Sequence, residues 1–239
     1  MPPARSLDAT NPVENELAAL LREAGVEFGL TPALARYGAL VLEANRRFNV
    51  TGAKLPHEVV GHILDALTVV PFVRAPYVDI GSGGGFPAIP VAIATGTPVT
   101  MIESTAKKAR FLASVLERLE LQGEVRNERA EAAGHDPALR ERFASGTARA
   151  VGSAPMVAEL LLPLIEPGGV AVLQRGGQEP GERTALDDAS LVLGGFVEAA
   201  VPLEAGRAIL LVRKREATPI RFPRRSGIPA KRPLCSEGA

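Results

Sequence analysis

The 239-residue chain predicts an α/β fold, a doubly wound and mostly parallel seven-stranded sheet behind an N-terminal helical extension. Three observations predict it. From Tyr77 onward, short β-branched runs alternate with amphipathic helical stretches, as crossover connections require. Four glycines, Gly81, Gly83, Gly84 and Gly85, sit at the first strand–helix junction, and everything before Tyr77 has only helical spacing.

Residues 1–12, rich in Pro, Ser, Asn and Asp without a period, read as a flexible N-terminus. Apolar residues then recur at helical spacing over Val13–Ala24, Pro32–Asn45 and His57–Val70, so residues 13–73 form the helical extension. The sheet domain spans 74–215. It begins with the strand of Val78 and Ile80, and Pro87 suits a first helical turn after the glycines. There follow a strand at Val99–Ile102, a helix at Lys107–Leu119, a strand at Glu124–Asn127 and a short helix at Pro137–Phe143. A strand at Thr147–Val151 leads to a helix at Val157–Ile165, the turn Glu166-Pro167-Gly168-Gly169 and a strand at Val170–Leu173. A helix at Thr184–Leu193 precedes two last strands, Phe196–Val201 and Ala208–Arg213, and residues 216–239 form a basic, Pro-rich tail.

Composition narrows the function. An apolar content of 46% suits one substantial core, and no apolar run approaches the roughly 18 residues that span a bilayer. With no secretory signature at the N-terminus, the expectation is a soluble, cytoplasmic monomer. The single Cys235 permits no internal disulfide, and His57, His62 and His135 match no metal-ligand spacing, so no metal is expected. The formal charge of zero hides an asymmetry: residues 213–239 carry eight Lys or Arg against Glu216 and Glu237, a surplus of +6 over an acidic body. Arg221, Arg224, Arg225, Lys231 and Arg232 alternate with prolines beside Phe222, a pattern able to track a nucleic-acid backbone.

The glycine stretch carries the ligand chemistry. Asp79 precedes Gly81, Gly83 and Gly85 as Asp-x-Gly-x-Gly-x-Gly, with which nucleoside-binding methyltransferases hold S-adenosylmethionine. Gly83, Gly85 and Ala88 also satisfy a dinucleotide pattern, so the loop alone indicates only a nucleotide-like ligand. Glu103, 18 residues after Gly85, closes the second strand where an acid accepts both ribose hydroxyls; that suits S-adenosylmethionine or NAD and disfavours NADP. Arg129-Ala130-Glu131 follows the third strand, where an adenine would lie.

Arg149 and Arg175 end the fourth and fifth strands at the same edge. Their guanidinium forks suit phosphate or guanine O6 and N7, and they could instead pair with Glu131 or Glu103. No Asp-Pro-Pro-Tyr-type motif follows the fourth strand, and no cysteine stands where a covalent cytosine methylase needs one. Ser82 is outside any Gly-x-Ser-x-Gly elbow, which argues against a hydrolase. A target such as guanine N7, which already carries a lone pair, needs no base and no covalent intermediate; positioning suffices.

Taken together, the chain resembles the glucose-inhibited division protein B family, the bacterial small-subunit ribosomal RNA guanine-N7 methyltransferases. The resemblance rests on Asn49-Val50-Thr51, His62-Ile63-Leu64-Asp65, Asp79 to Pro90, Glu103-Ser104 with Lys107-Lys108 and Phe111-Leu112, Arg129-Ala130-Glu131, Arg149-Ala150-Val151, Arg175-Gly176 and Phe222-Pro223-Arg224-Arg225 with Gly227, Pro229, Lys231, Pro233 and Leu234. It implies the Rossmann-like S-adenosylmethionine-dependent methyltransferase fold, with S-adenosylhomocysteine as product and 16S rRNA in the small ribosomal subunit as substrate. It places cofactor contacts at Gly81, Phe86, Glu103, Ala130, Glu131 and Arg149, to which the glycine pattern adds Gly83 and Gly85. RNA contacts are implied at Arg129, Arg175 and the basic tail. The chain departs from the family in having Arg175 for Lys, Ala88 for Gly, Ala66 for Ser, and Gly61 where a basic residue is usual. Two other classes share these features: a non-catalytic RNA-binding or ribosome-assembly factor, and an NAD-dependent oxidoreductase.

Overall fold

The computed structural model describes residues 11–177 and 181–234. Three helices, α1 (Pro12–Glu23), α2 (Thr31–Asn45) and α3 (Pro56–Leu67), precede β1 (Tyr77–Ile80). The chain then alternates through α4 (Ala88–Thr95), β2 (Val99–Ile102), α5 (Ala106–Arg118), β3 (Gly123–Arg126), α6 (Ala130–Ala133), β4 (Phe143–Arg149), α7 (Ala154–Leu161) and β5 (Ile165–Arg175). It closes with α8 (Glu182–Val192), β6 (Gly195–Pro202), β7 (Ala208–Lys214) and a short α9 (Ile228–Lys231). The seven strands form one sheet in the order β3-β2-β1-β4-β5-β7-β6, parallel except for β7, which runs antiparallel to β5 and β6. This is the doubly wound arrangement expected.

Strand period divides the core in two. Tyr77, Met101, Val172, Ile209 and Leu211 face a cluster shared with α1–α5, whereas Val78, Ile80, Ile102, Leu173 and Leu210 face one built with α7 and α8. Both sheet faces are therefore covered, as a parallel sheet requires. Because β1, β2, β4 and β5 run parallel, their C-terminal ends gather on one edge, where Gly81, Glu103, Arg149 and Arg175 stand together.

The sequence expectation fails between β3 and β5. No helix forms over 137–143: the Asp136 carboxylate accepts the Ala138 amide in a turn, and Phe143 opens β4 four residues before the expected start. Ala144, Ser145 and Gly146 concealed that start, although a Cβ at Gly146 would lie 2.8 Å from Ile165 and Leu161. Likewise β5 begins at Ile165, taking in the Glu-Pro-Gly-Gly turn as an irregularity, and the helix expected over 157–165 is α7 followed by a 3-10 turn at Leu162–Leu164.

The described part of the basic tail folds back on the body. Phe222 is buried in the second cluster, and Arg140 donates to the carbonyls of Thr218 at 2.6 Å and Phe222 at 2.8 Å. His135 Nε2 lies 2.7 Å from Pro223 O. Most of the expected flexible N-terminus, together with Cys235, lies outside the described residues; within them, the Asn11 side chain caps α1 by accepting the Val13 amide.

Candidate functional site

The glycine loop is shaped by its backbone. Gly81, Gly83 and Gly85 have φ of 64°, 56° and 96°, values that glycine adopts without strain. A Cβ at Gly85 would meet Ile89 at 2.7 Å, and one at Gly81 would meet Val151 at 2.7 Å. The Gly81 amide donates to Ile102 O at 2.8 Å, joining the loop to the end of β2. The helical extension fastens it from above: the buried Tyr37 hydroxyl donates to Gly84 O at 2.7 Å. Phe86 lies against Tyr37 and His62, with ring centroids 5.2 and 5.5 Å apart, and the Arg149 guanidinium stands 5.3 Å over its ring.

Beneath the loop, Asp79 is wholly buried. Thr147 Oγ1 donates to its Oδ1, and Thr147 is within 2.6 Å of the Tyr77 hydroxyl. Its other oxygen, Oδ2, has no partner. Burial raises the Asp79 pKa to about 7 against the opposing hydrogen bond of Thr147. Glu103 is tied to backbone through both oxygens, Oε2 to the Gly83 amide at 2.9 Å and Oε1 to the Thr105 amide at 2.7 Å. Each oxygen retains a second lone pair for a ligand hydroxyl.

Beside them opens a cleft of about 120 Å³ lined by Gly81, Ile102, Arg129, Ala130, Glu131 and Val151 among others. Glu131 is nearly buried and accepts Arg129 Nη2 at 3.1 Å and the Gly227 amide at 2.9 Å. Burial works to raise its pKa, but Arg129 and Gly227 outweigh it and hold the carboxyl below its usual range.

The two strand-end arginines pair with neither Glu103 nor Glu131. Arg149 donates to Asp65 Oδ2 and to His62 Nδ1, both at 2.9 Å, and Asp65 also binds Arg207. Burial, followed by the Arg149 charge, lowers the His62 pKa, consistent with a neutral ring accepting from Arg149. Arg175 pairs with Glu182 Oε1 at 2.6 Å and with Gly152 O. Asp65 stood in the sequence within the His62–Asp65 stretch, whose i, i+3 spacing places both on one helical face. Glu182 had no sequence signal.

In the tail, Arg224 donates to both oxygens of the fully buried Glu159, at 2.8 and 2.6 Å. Arg221 lies 5.0 Å from the Phe222 ring centroid and is exposed, as are Arg225, Lys231 and Arg232.

A family model described as rRNA small subunit methyltransferase G matches residues 30–210. The chain belongs to this family. It is 41% identical over 215 residues to the Ribosomal RNA small subunit methyltransferase G of Rubrobacter xylanophilus, covering 84% of this chain and 82% of that one. It is 42% identical over 200 residues to the protein of the same name from Chloroflexus aggregans, covering 80% and 84%. Among solved structures, the [4+2]-cyclase SpnF matches with a TM-score of 0.55 at 14% identity, covering 77% of this chain and 96% of that one. A point mutant of MtNAS in complex with S-adenosylmethionine matches with a TM-score of 0.52 at 18% identity, covering 87% and 86%. These two likenesses concern the fold. No group of three or more His, Cys, Asp or Glu among the described residues could hold a metal ion, and no described helix is long and apolar enough to cross a membrane.

Proposed function

We propose that the chain transfers a methyl group from S-adenosylmethionine to N7 of a guanine in 16S rRNA, releasing S-adenosylhomocysteine. Beside family membership, one observation carries the reading: the Gly83 amide and the Glu103 carboxylate meet at 2.9 Å on the edge where β1 and β2 end. That juxtaposition suits a nucleoside whose ribose hydroxyls take the remaining Glu103 lone pairs. Gly81, Gly83 and Gly85 admit the methionine portion, Phe86 and Arg149 border it, and Ala130 with Glu131 flanks the adenine. The unpartnered Asp79 Oδ2 beneath the loop complements a cationic ligand.

The cofactor supplies an electrophilic methyl group on sulfur. Guanine N7 attacks with its in-plane lone pair, so no proton need be removed, and the protein's contribution is alignment and electrostatics. Arg149, fixed by Asp65, and Arg175, fixed by Glu182, stand at the ends of β4 and β5, where the acceptor base would approach. Arg129, Arg221, Arg225, Lys231 and Arg232 provide phosphate contacts, and Arg224 anchors the strap that presents the last four. The names of the relatives, Ribosomal RNA small subunit methyltransferase G, support the substrate class.

Labelled cofactor offered with naked 16S rRNA and with 30S particles, followed by mapping of the modified base, tests the reading. The expected product is one N7-methylguanosine; its absence from both substrates sinks the proposal.

A further inference from the structure

Among the described residues, five buried side-chain polar atoms lack a hydrogen-bond partner: Asp79 Oδ2, Ser153 Oγ, Gln174 Oε1, Arg175 Nε and Glu182 Oε2. Leaving such an atom unpaired costs more than a made hydrogen bond returns, so each calls for a reason. Three of the five, Ser153 Oγ, Arg175 Nε and Glu182 Oε2, belong to the end of β5, the β4–α7 turn and the start of α8, which Arg175 and Glu182 tie together, whereas Gln174 is held on the other face of β5 by Asp65 O and Thr68. Gln174 and Arg175 end β5, Ser153 stands at the N-cap position of α7 without a side-chain capping bond, and Glu182 is the first residue of α8.

The pair at the centre is half spent. Glu182 Oε1 receives Arg175 Nη2 at 2.6 Å and the Ala154 amide at 2.8 Å, and Arg175 Nη1 takes Gly152 O. Those contacts account for the structural work of both side chains. One acceptor, Glu182 Oε2, and one donor, Arg175 Nε, remain. Val151 in the same β4–α7 turn packs against Gly81, which sets the pair beside the glycine loop.

We propose that Glu182, together with Arg175, is the specificity-determining residue for the methyl acceptor, its carboxylate accepting N1–H of the target guanine while Arg175 Nε–H donates to O6. This rests on the guanine reading above. Guanine presents an acceptor, O6, next to a donor, N1–H. Adenine presents the reverse, an amino donor next to the N1 acceptor, and would set donor against donor and acceptor against acceptor. N7 lies on the far side of O6 from N1 and keeps its lone pair for the methyl group. Since the Arg175 and Glu182 side chains are only 14% and 7% exposed, a base on them is withdrawn from water, where a missing hydrogen bond is discriminated most strongly. A purely structural Glu182 explains what binds Oε1 and leaves Oε2 and Arg175 Nε without a role.

The test uses the full chain and a synthetic RNA of the mapped site carrying guanosine, inosine or N1-methylguanosine at the target. Inosine keeps O6 and N1–H, and its kcat/KM is expected within about threefold of guanosine, whereas N1-methylguanosine, with no proton on N1, is expected to lose about ten- to hundredfold. Glu182→Gln keeps an oxygen for the Ala154 amide. It is expected to lose a similar factor on guanosine RNA, to retain wild-type affinity for S-adenosylhomocysteine with a lowered Tm, because Arg175 loses its buried counter-charge, and to show little further penalty for N1-methylguanosine. Equal wild-type rates on guanosine and N1-methylguanosine RNA overturn the assignment without any variant, as does a Glu182→Gln protein with the full wild-type penalty. A wild-type protein that leaves N7 of the guanosine RNA unmethylated removes the guanine reading itself, so the two failures are told apart.

Discussion

The Gly227 amide donates to Glu131 Oε1 at 2.9 Å, joining the C-terminal strap to the acid that lines the cleft beside the glycine loop. The strap is held elsewhere by Arg140, which donates to the carbonyls of Thr218 and Phe222. Arg140→Ala releases the strap without touching the cleft. The expected result in calorimetry is S-adenosylhomocysteine affinity weakened about tenfold, the equivalent of one lost hydrogen bond, with stability lower by about 2–3 kcal/mol. Unchanged affinity in a folded variant shows that the strap contributes nothing to the cleft.

Arg224 and Arg225 are adjacent and differ in environment. Arg224 neutralises Glu159, whose side chain is 0% exposed, and removing it strands a buried charge. Urea unfolding of Arg224→Ala is expected to show a loss of about 3 kcal/mol, against less than about 0.5 kcal/mol for the exposed Arg225→Ala. RNA binding should order them the other way, with Arg225→Ala reducing the salt slope by about one unit. Equal stabilities would count against the anchoring role of Arg224.

Asp79 gives a pH signature. Its pKa in the folded protein is about 7 against 3.8 for an ordinary aspartate, so the folded state holds a proton that the unfolded state has released. This group's contribution to stability is fully present below about pH 4 and is lost as pH rises through 7. Asp79→Asn should therefore remove a pH dependence on the order of a few kcal/mol between pH 4 and 7, read from urea midpoints. In the wild type, a cationic ligand favours the carboxylate, so affinity for S-adenosylmethionine should rise with pH through about 7 more steeply than affinity for its uncharged-sulfur product. Parallel pH profiles for the two ligands would exclude a carboxylate–sulfonium interaction.

Tyr37→Phe removes the buried donor to Gly84 O while keeping the ring against Phe86. The carbonyl left without a partner is expected to cost about 1–3 kcal/mol and to loosen the glycine loop. Both thermal unfolding and cofactor titration should register the change. Wild-type affinity in the variant shows that α2 supports the fold and not the loop's ligand-binding shape.

The shape of the glycine loop and the place of Glu103 beside it were readable in advance because they are local. Asp79, Gly81, Gly83 and Gly85 lie within one strand–turn unit, and Glu103 ends the next strand, so motif and spacing name them directly. The arginines were readable as positions and not as partners. Arg149 reaches Asp65 across 84 residues and Arg175 reaches Glu182 across a β–α junction, and nothing in composition or period distinguishes those acids from Glu103 or Glu131. The start of β4 was hidden for a different reason: Ala144, Ser145 and Gly146 carry too little apolar signal, yet packing against Ile165 and Leu161 leaves no room for a side chain at Gly146.

The tail marks the same boundary. By itself the sequence determined the class of fold, the glycine cradle and the +6 surplus at the C-terminus, because each follows from nearest-neighbour pattern or from counting. Only the tertiary structure decided which cations stay exposed and which are consumed inside. Burial of Glu159 claims Arg224, and burial of Glu131 claims a backbone amide at Gly227. A buried carboxylate must be paired, and which donor reaches it depends on where distant segments come to rest.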